Sequence, residues 1–152
     1  MLFTGTFPRA MDEKSRIAIP KRIRDALSLS KNAVLYITRG TDSSLAIYTE
    51  EGLGRLAERL ASASPTQHDV RTFSRLFYAQ AEPVDVDGQG RMRIPSALAT
   101  QAELGNDVVL VGVHDHLELW NRDRWNQYLT EQSPQYDELA ERAFLPIPPA
   151  RP

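Results

Sequence analysis

Two nine-residue stretches carry the same polar constellation. One is Asp12-Glu13-Lys14-Ser15-Arg16-Ile17-Ala18-Ile19-Pro20; the other is Asp87-Gly88-Gln89-Gly90-Arg91-Met92-Arg93-Ile94-Pro95. In each, an aspartate stands four residues before an arginine and an Ile-Pro pair closes the run. An aspartate at the head of a tight turn can accept hydrogen bonds from the turn's own backbone and pair with an arginine at its far end. Two readings follow. In the first, each Asp–Arg pair is closed on itself and merely holds a corner. In the second, Asp12 and Asp87 fix their turns while arginines project from the rim, where a planar guanidinium matches phosphate oxygens or the edge of guanine. A turn needs Asp or Gly but has no need of Arg, which favours the outward reading. Arg91 and Arg93, two residues apart on a strand, would then share a face, and Arg9, Lys14 and Arg16 would do the same work in the first copy. Gly88 and Gly90 can adopt positive φ at little cost, whereas Ser15 in the first copy cannot.

Catalytic constellations are thin. The chain has no cysteine, hence no thiol nucleophile, disulfide or thiolate metal site. None of its Ser or Thr residues sits in a Gly-x-Ser-x-Gly elbow. Gly88-Gln89-Gly90 lacks the third glycine and the strand-to-helix setting of a dinucleotide loop, and reads as a turn. His114 and His116 lie in a predicted hairpin loop with no third ligand suggested nearby, so a solvated loop fits them better than a metal site. Asp85 and Asp87 read as polar turn residues rather than an acid–base pair. Trp120 and Trp125 are expected in a core or interface rather than stacked on a base. No enzyme activity, cofactor or metal is expected.

The elements that must position the two stretches repeat with them. Asp12 and Asp87 are 87 − 12 = 75 residues apart in a chain of 152. Ile23 faces Leu98, and Leu29 faces Leu104. The run Ala33-Val34-Leu35-Tyr36 aligns with Val108-Val109-Leu110-Val111. After a deletion of three residues in the second copy, Leu45-Ala46-Ile47-Tyr48 aligns with Leu117-Glu118-Leu119-Trp120. Each half reads as a short strand (Arg9–Met11; Pro83–Val86), the turn, and a second strand (Arg16–Ile19; Arg91–Ile94). A short helix follows, opened by Pro20 or Pro95, whose missing N–H leaves no helix bond unmade. A hairpin completes the unit, with its loop at Arg39–Ser44 or His114–His116.

Between the halves, Thr49 suits an N-cap, with Leu53, Leu56, Ala57 and Leu60 on one helical face. Ser64-Pro65 interrupts that helix, and Val70, Phe73, Leu76 and Phe77 form a second apolar stripe. Asn121 is placed to cap a helix carrying Trp125, Tyr128 and Leu129, and a last short helix spans Tyr136–Phe144. The tail Leu145-Pro146-Ile147-Pro148-Pro149 reads as extended or disordered. The expected fold is α+β: two βαββ units, each too small for a sound core, sharing one barrel-like core. The expected organisation is a first repeat at 7–52, a helical connector at 53–82, a second repeat at 83–126, and a C-terminal helix and Pro-rich tail at 127–152.

A composition of 41% hydrophobic and 25% charged residues fits a globular protein. The N-terminal residues lack the basic segment and apolar run of a secretory signal, no run could span a bilayer, and a cytoplasmic location is expected. Net charge is −2 but unevenly spread. Residues 1–39 hold eight Lys/Arg against three acids, a local 8 − 3 = +5, and residues 101–152 hold four Arg against nine acids, a local 4 − 9 = −5. Such asymmetry suits an anionic partner or head-to-tail self-association; solvated faces with uneven charge are the plainer account.

Taken together, Phe3-x-Gly5, Asp12-x-Lys14-x-Arg16-x-x-Ile19-Pro20 and Asp87-Gly88-x-Gly90-Arg91-x-x-Ile94-Pro95 resemble the MraZ family, related to the AbrB-type swapped-hairpin DNA-binding domains. The strand Leu117-Glu118-Leu119-Trp120 and the connector Arg75-Leu76-Phe77 also look family-like, and the resemblance covers roughly residues 1–143. It implies two AbrB-like units in one chain, forming a pseudo-two-fold, swapped-hairpin β-barrel with flanking helices. The implied partners are double-stranded promoter DNA and the chain itself, as a ring-shaped, octamer-like homo-oligomer, with no membrane or small-molecule substrate. The implied function is transcriptional regulation, usually repression, of the division and cell-wall gene cluster through tandem direct repeats, in the cytoplasm and at the nucleoid. Base contacts would fall on Arg16 and Arg91 with Lys14 and Arg93 as neighbours, and salt-sensitive phosphate contacts on Lys14, Arg9, Arg22 and Arg24. Ser15, where the family commonly has Gly, sets the first turn apart. The rival classes are a self-assembling protein without DNA function and, much less favoured, an enzyme; an antitoxin is a third and disfavoured alternative.

Overall fold

The computed structural model describes residues 2–28, 34–64 and 66–146. Leu29, Ala33, Pro65 and the end of the Pro-rich tail therefore lie outside the described residues. The elements run β1 (Thr6–Ala10), β2 (Arg16–Ala18), α1 (Lys21–Ser28), β3 (Leu35–Arg39), β4 (Leu45–Thr49), α2 (Glu50–Ser62) and α3 (His68–Gln80). They continue as β5 (Glu82–Val84), β6 (Arg91–Arg93), α4 (Ser96–Gln101), β7 (Asp107–Val113), β8 (His116–Asn121), α5 (Arg122–Gln132), a 3₁₀ turn (Ser133–Gln135) and α6 (Tyr136–Ala143). The chain divides into two compact units, 1–122 and 123–152, the second holding nearly all of α5 and all of α6.

The fold is α+β. A six-stranded antiparallel sheet has the order β1-β7-β8-β4-β3-β5, and β2 and β6 form a separate antiparallel ribbon. The barrel expected from the duplication is not closed among the described residues. The pseudo-two-fold relation is nevertheless plain in the pairing. The first strand of each half pairs with the third strand of the other half, β1 with β7 and β5 with β3, while β4 meets β8 at the centre. The exchange gives each half a strand that it cannot supply itself. Both edges of the large sheet carry a proline, Pro8 in β1 and Pro83 in β5, where a missing N–H breaks no ladder.

Strand pairing also corrects the alignment of the two halves. Thr49 and Asn121 are equivalent (121 − 49 = 72) and pair with Leu35 and Val108, so the third strands are offset by 108 − 35 = 73 rather than 75. The missing three residues are thus split, two before the third strand and one in the hairpin loop. The valine-rich run Val108–Val111 hides the slip, since any register puts an apolar residue opposite an apolar residue.

Ile17 and Met92 face each other across the ribbon and are fully buried, joining Ile19, Ile23, Ile94 and Leu98 in one core with Leu35, Ile37, Leu110 and Leu119 of the large sheet. Fully burying such a side chain contributes about 1.5–3 kcal/mol, against roughly 0–1 kcal/mol for an exposed ion pair. The inner face, not the polar outer one, therefore holds the ribbon down. β4 is buried on both faces, because Leu45 and Ile47 enter this core while Ala46 and Tyr48 pack beneath α2 and α3 with Phe77, Leu53 and Leu56. The Thr49 hydroxyl accepts from the Gly52 N–H at 3.0 Å and starts α2 as its N-cap. Buried Thr38 donates its hydroxyl to the Phe77 carbonyl at 2.7 Å, tying α3 to the sheet. No helix among the described residues is long and apolar enough to cross a membrane.

Candidate nucleic-acid interface

Each Asp-led turn is built the same way. In the first, Asp12 Oδ1 accepts from the N–H groups of Lys14 and Arg16, both at 2.9 Å, and Oδ2 accepts from Arg16 Nε at 2.8 Å. The Ser15 N–H donates to the Asp12 carbonyl and the Asp12 N–H to the Arg16 carbonyl, both at 3.0 Å. In the second, Asp87 Oδ1 accepts from the N–H groups of Gln89 and Arg91 at 2.9 Å, and Oδ2 from Arg91 Nε at 3.0 Å. Backbone bonds from the carbonyl side repeat the pattern, Gly90 N–H to Asp87 and Asp87 N–H to Arg91, both at 2.9 Å. Hydrogen bonds from the arginine backbone, ahead of the guanidinium, hold both carboxyls below their ordinary value of 3.8.

The turns are also bonded to each other. The Ile19 N–H donates to the Gly90 carbonyl at 2.9 Å and the Ile94 N–H to the Ser15 carbonyl at 2.8 Å. Arg91 Nη1 lies 3.9 Å from Asp12 Oδ2, a link with no counterpart from Arg16 to Asp87 among the ion pairs of the described residues. Corner and ribbon thus form one rigid piece.

With Ile17 and Met92 turned inward, the alternation of strands sends Arg16, Ala18, Arg91 and Arg93 to the outer face. Arg16 stands directly opposite Arg93, and Ala18 opposite Arg91. Like charges placed across a pair of strands repel, and here the Asp12 carboxylate offsets Arg16 while Asp87 offsets Arg91. The arginines are not equally available. Arg16 and Arg91 each engage Nε with their aspartate and are only partly exposed, so the closed ion pair is present in both turns. Arg93 and the Lys14 ammonium are exposed and have no partner among the described residues.

Three of the expected cations spend hydrogen bonds on the backbone. Arg9 Nε donates to the Ala18 carbonyl at 2.9 Å and Nη1 to the Pro8 carbonyl at 2.8 Å, which lays it alongside the ribbon. Arg24 Nε donates to the Ile19 carbonyl at 3.1 Å, and its side chain roofs Gly90. Arg22 reaches the Thr4 carbonyl at 2.6 Å, with its guanidinium over the Phe7 ring at 5.2 Å. Gly90 has φ +77°, and a Cβ there would meet Arg24 atoms within 2.6–2.8 Å. Ser15 adopts φ 58° in the equivalent place despite its side chain. Gly88, by contrast, is open and has no positive φ.

A second polar cluster lies on the other face of the large sheet. His116 stacks on Tyr48 at 4.9 Å, with Nδ1 2.8 Å from Asp115 and Nε2 3.5 Å from Glu118, beside a cavity of about 490 Å³ lined by Phe73 and Phe77. Hydrogen bonding to Glu118 and then to Asp115 outweighs burial and holds His116 above its ordinary 6.5. Both ring nitrogens are engaged, so the cluster closes on itself. Among the described residues no three His, Cys, Asp or Glu side chains gather as a metal site. Ala18 carries no signal in the sequence, because its importance lies in its place opposite Arg91 and in the bond its carbonyl accepts from Arg9, and both depend on the tertiary fold.

A family model described as "MraZ protein, putative antitoxin-like" matches residues 2–76 and again residues 77–147. The chain belongs to the MraZ family. It is 37% identical over 141 residues to a Moorella thermoacetica protein, covering 93% of this chain and 96% of the relative. A Lactiplantibacillus plantarum protein is 39% identical over 140 residues (92% and 96%), and one from Heliobacterium modesticaldum 36% over 141 (93% and 96%). All three relatives bear the name Transcriptional regulator MraZ. The two family matches meet between Leu76 and Phe77, inside α3, so the duplication seen in the strands is a property of the family pattern.

Proposed function

We propose that this chain is a sequence-specific, DNA-binding transcriptional regulator that presents the outer face of the β2–β6 ribbon to a DNA groove. The observation that carries the reading is the convergence of Arg16, Arg91 and Arg93 on one outward face, with Arg9 alongside and Lys14 at the adjoining turn. A two-stranded ribbon is narrow enough for the major groove, and arginine forks suit guanine and phosphate. The names of the relatives support regulation. Following the family resemblance, the reading extends to a cytoplasmic, nucleoid-associated repressor of the division and cell-wall gene cluster, built on a swapped-hairpin barrel core. One protomer offers few contacts; a ring engaging tandem repeats would gain operator affinity through effective concentration.

Arg93→Ala tests the reading most cleanly, because the Arg93 side chain is exposed and makes no hydrogen bond or ion pair among the described residues. Electrophoretic mobility shift on DNA from upstream of its own gene should show a loss of about 5- to 150-fold, the worth of one bidentate base contact. Thermal unfolding should be unchanged. Undiminished affinity for that DNA would remove the ribbon from the interface.

A further inference from the structure

The two-fold relation between the halves is broken at one place on the outer face of the ribbon. Arg16 and Arg91 are equivalent (16 + 75 = 91), but the equivalent of Arg93 is Ala18 (18 + 75 = 93). The gap is partly filled from elsewhere. Arg9 of β1 lies against the Ala18 carbonyl, and the residue in its place in the second half is Val84 (9 + 75 = 84). One end of the ribbon therefore ends in Arg93, unrestrained and exposed; the other ends in Arg9, pinned by two backbone carbonyls.

From this difference we infer that each protomer lies on DNA in one direction only, with Ala18 and Arg93 setting that direction. The inference rests on the ribbon's being the DNA-contacting face. The two strands of a duplex run antiparallel, so its phosphate backbone looks the same in both directions along a groove. A reader with exact two-fold symmetry would bind any site equally well either way round. Discrimination must come from positions where the symmetry fails. Arg93 has the reach and freedom to form a bidentate pair with a guanine. Arg9 has Nε and Nη1 occupied and is limited to a positional contact with phosphate or sugar.

The absence of cysteine makes the test direct. Glu13 and Gly88 occupy equivalent positions on the two turns (13 + 75 = 88), and Gly88 has open space around it. Single variants Glu13→Cys and Gly88→Cys, each carrying an iron chelate, would be used to cleave end-labelled DNA from upstream of its own gene. Each variant should cut one flank of a bound element at least about 5-fold more than the other, the two variants cutting opposite flanks. Equal cutting of both flanks by each variant overturns the inference while leaving DNA binding intact. A footprint without cutting near either turn overturns the ribbon reading itself. Ala18→Arg restores symmetry by addition and should shift cutting toward both flanks; Arg93→Ala restores it by removal and reads the same quantity if the first variant fails to fold. A flank ratio unchanged in a folded variant takes the direction away from this pair of positions.

Discussion

The turns led by Asp12 and Asp87 share their hydrogen bonds and differ where the backbone is tightest. The second places Gly90 at φ +77°, under the side chain of Arg24. The first places Ser15 at φ 58°, and the helix position equivalent to Arg24 is Ala99 (24 + 75 = 99). The glycine turn goes with a long side chain at this helix position, and the serine turn with a short one at its equivalent. Identical geometry is thus reached by two compositions that cannot be mixed freely. The carboxylate and its backbone donors define the corner, and at Gly90 the side chain of Arg24 leaves little room for a Cβ.

Exchanging those residues should break the comparison hardest. Gly90→Ser puts a side chain at positive φ and displaces the flexible end of Arg24, and should lower stability by roughly 1–2 kcal/mol in urea unfolding. Adding Arg24→Ala should recover the part of that loss that comes from displacing Arg24, leaving the backbone strain. If Gly90→Ser unfolds at the wild-type midpoint, the roof is not what separates the turns. At the tips, Lys14→Ala should weaken DNA binding across all sequences and reduce the log–log salt slope by about 1, whereas Gln89→Ala leaves the slope unchanged. Equal slopes for both variants would make the tips equivalent.

Smaller effects sharpen the same contrast. Ser15→Gly relieves strain but loosens the unfolded chain, for a net gain of about 0.5–1 kcal/mol readable in chemical denaturation. Acid should act on both turns. Their carboxyls sit below the ordinary 3.8, so the folded state favours the ionised form. The stability this gives is present above pH 3.8 and lost as pH falls through the lowered values. Asp12→Asn and Asp87→Asn should each flatten that acid limb of a thermal-unfolding series, Asp12→Asn slightly more because Asp12 also faces Arg91 Nη1.

Much of this was legible in the residues. The two Asp-led turns, the helices opened after Pro20 and Pro95 and the Thr49 cap are local devices, and local chemistry writes them plainly. The 73-residue offset of the third strands was not legible, because the apolar run around Val108 looks alike in neighbouring registers. Nor was the exchange of first strands, which depends on partners far along the chain. Arg22 and Arg24 read as surface cations, yet each bonds a backbone carbonyl, Thr4 or Ile19, that only the tertiary fold brings near. The choice between a closed ion pair and an outward rim could be posed from sequence, and the geometry shows the ion pair at both Arg16 and Arg91.

The exchanged edge strands also bear on how the chain is made. Phe7 pairs with Leu110, 110 − 7 = 103 residues later, so β1 leaves the ribosome long before its partner exists. At about 5–20 residues per second that is roughly 5–20 seconds of waiting as an unpaired strand. Such a segment invites pairing with the wrong neighbour, another nascent chain included. Pro8 in β1, and Pro83 in the matching strand β5, each withhold a backbone donor and keep the strand a poor template for growth. Pro8 thus protects the chain during synthesis, and both prolines finish the edges of the folded sheet.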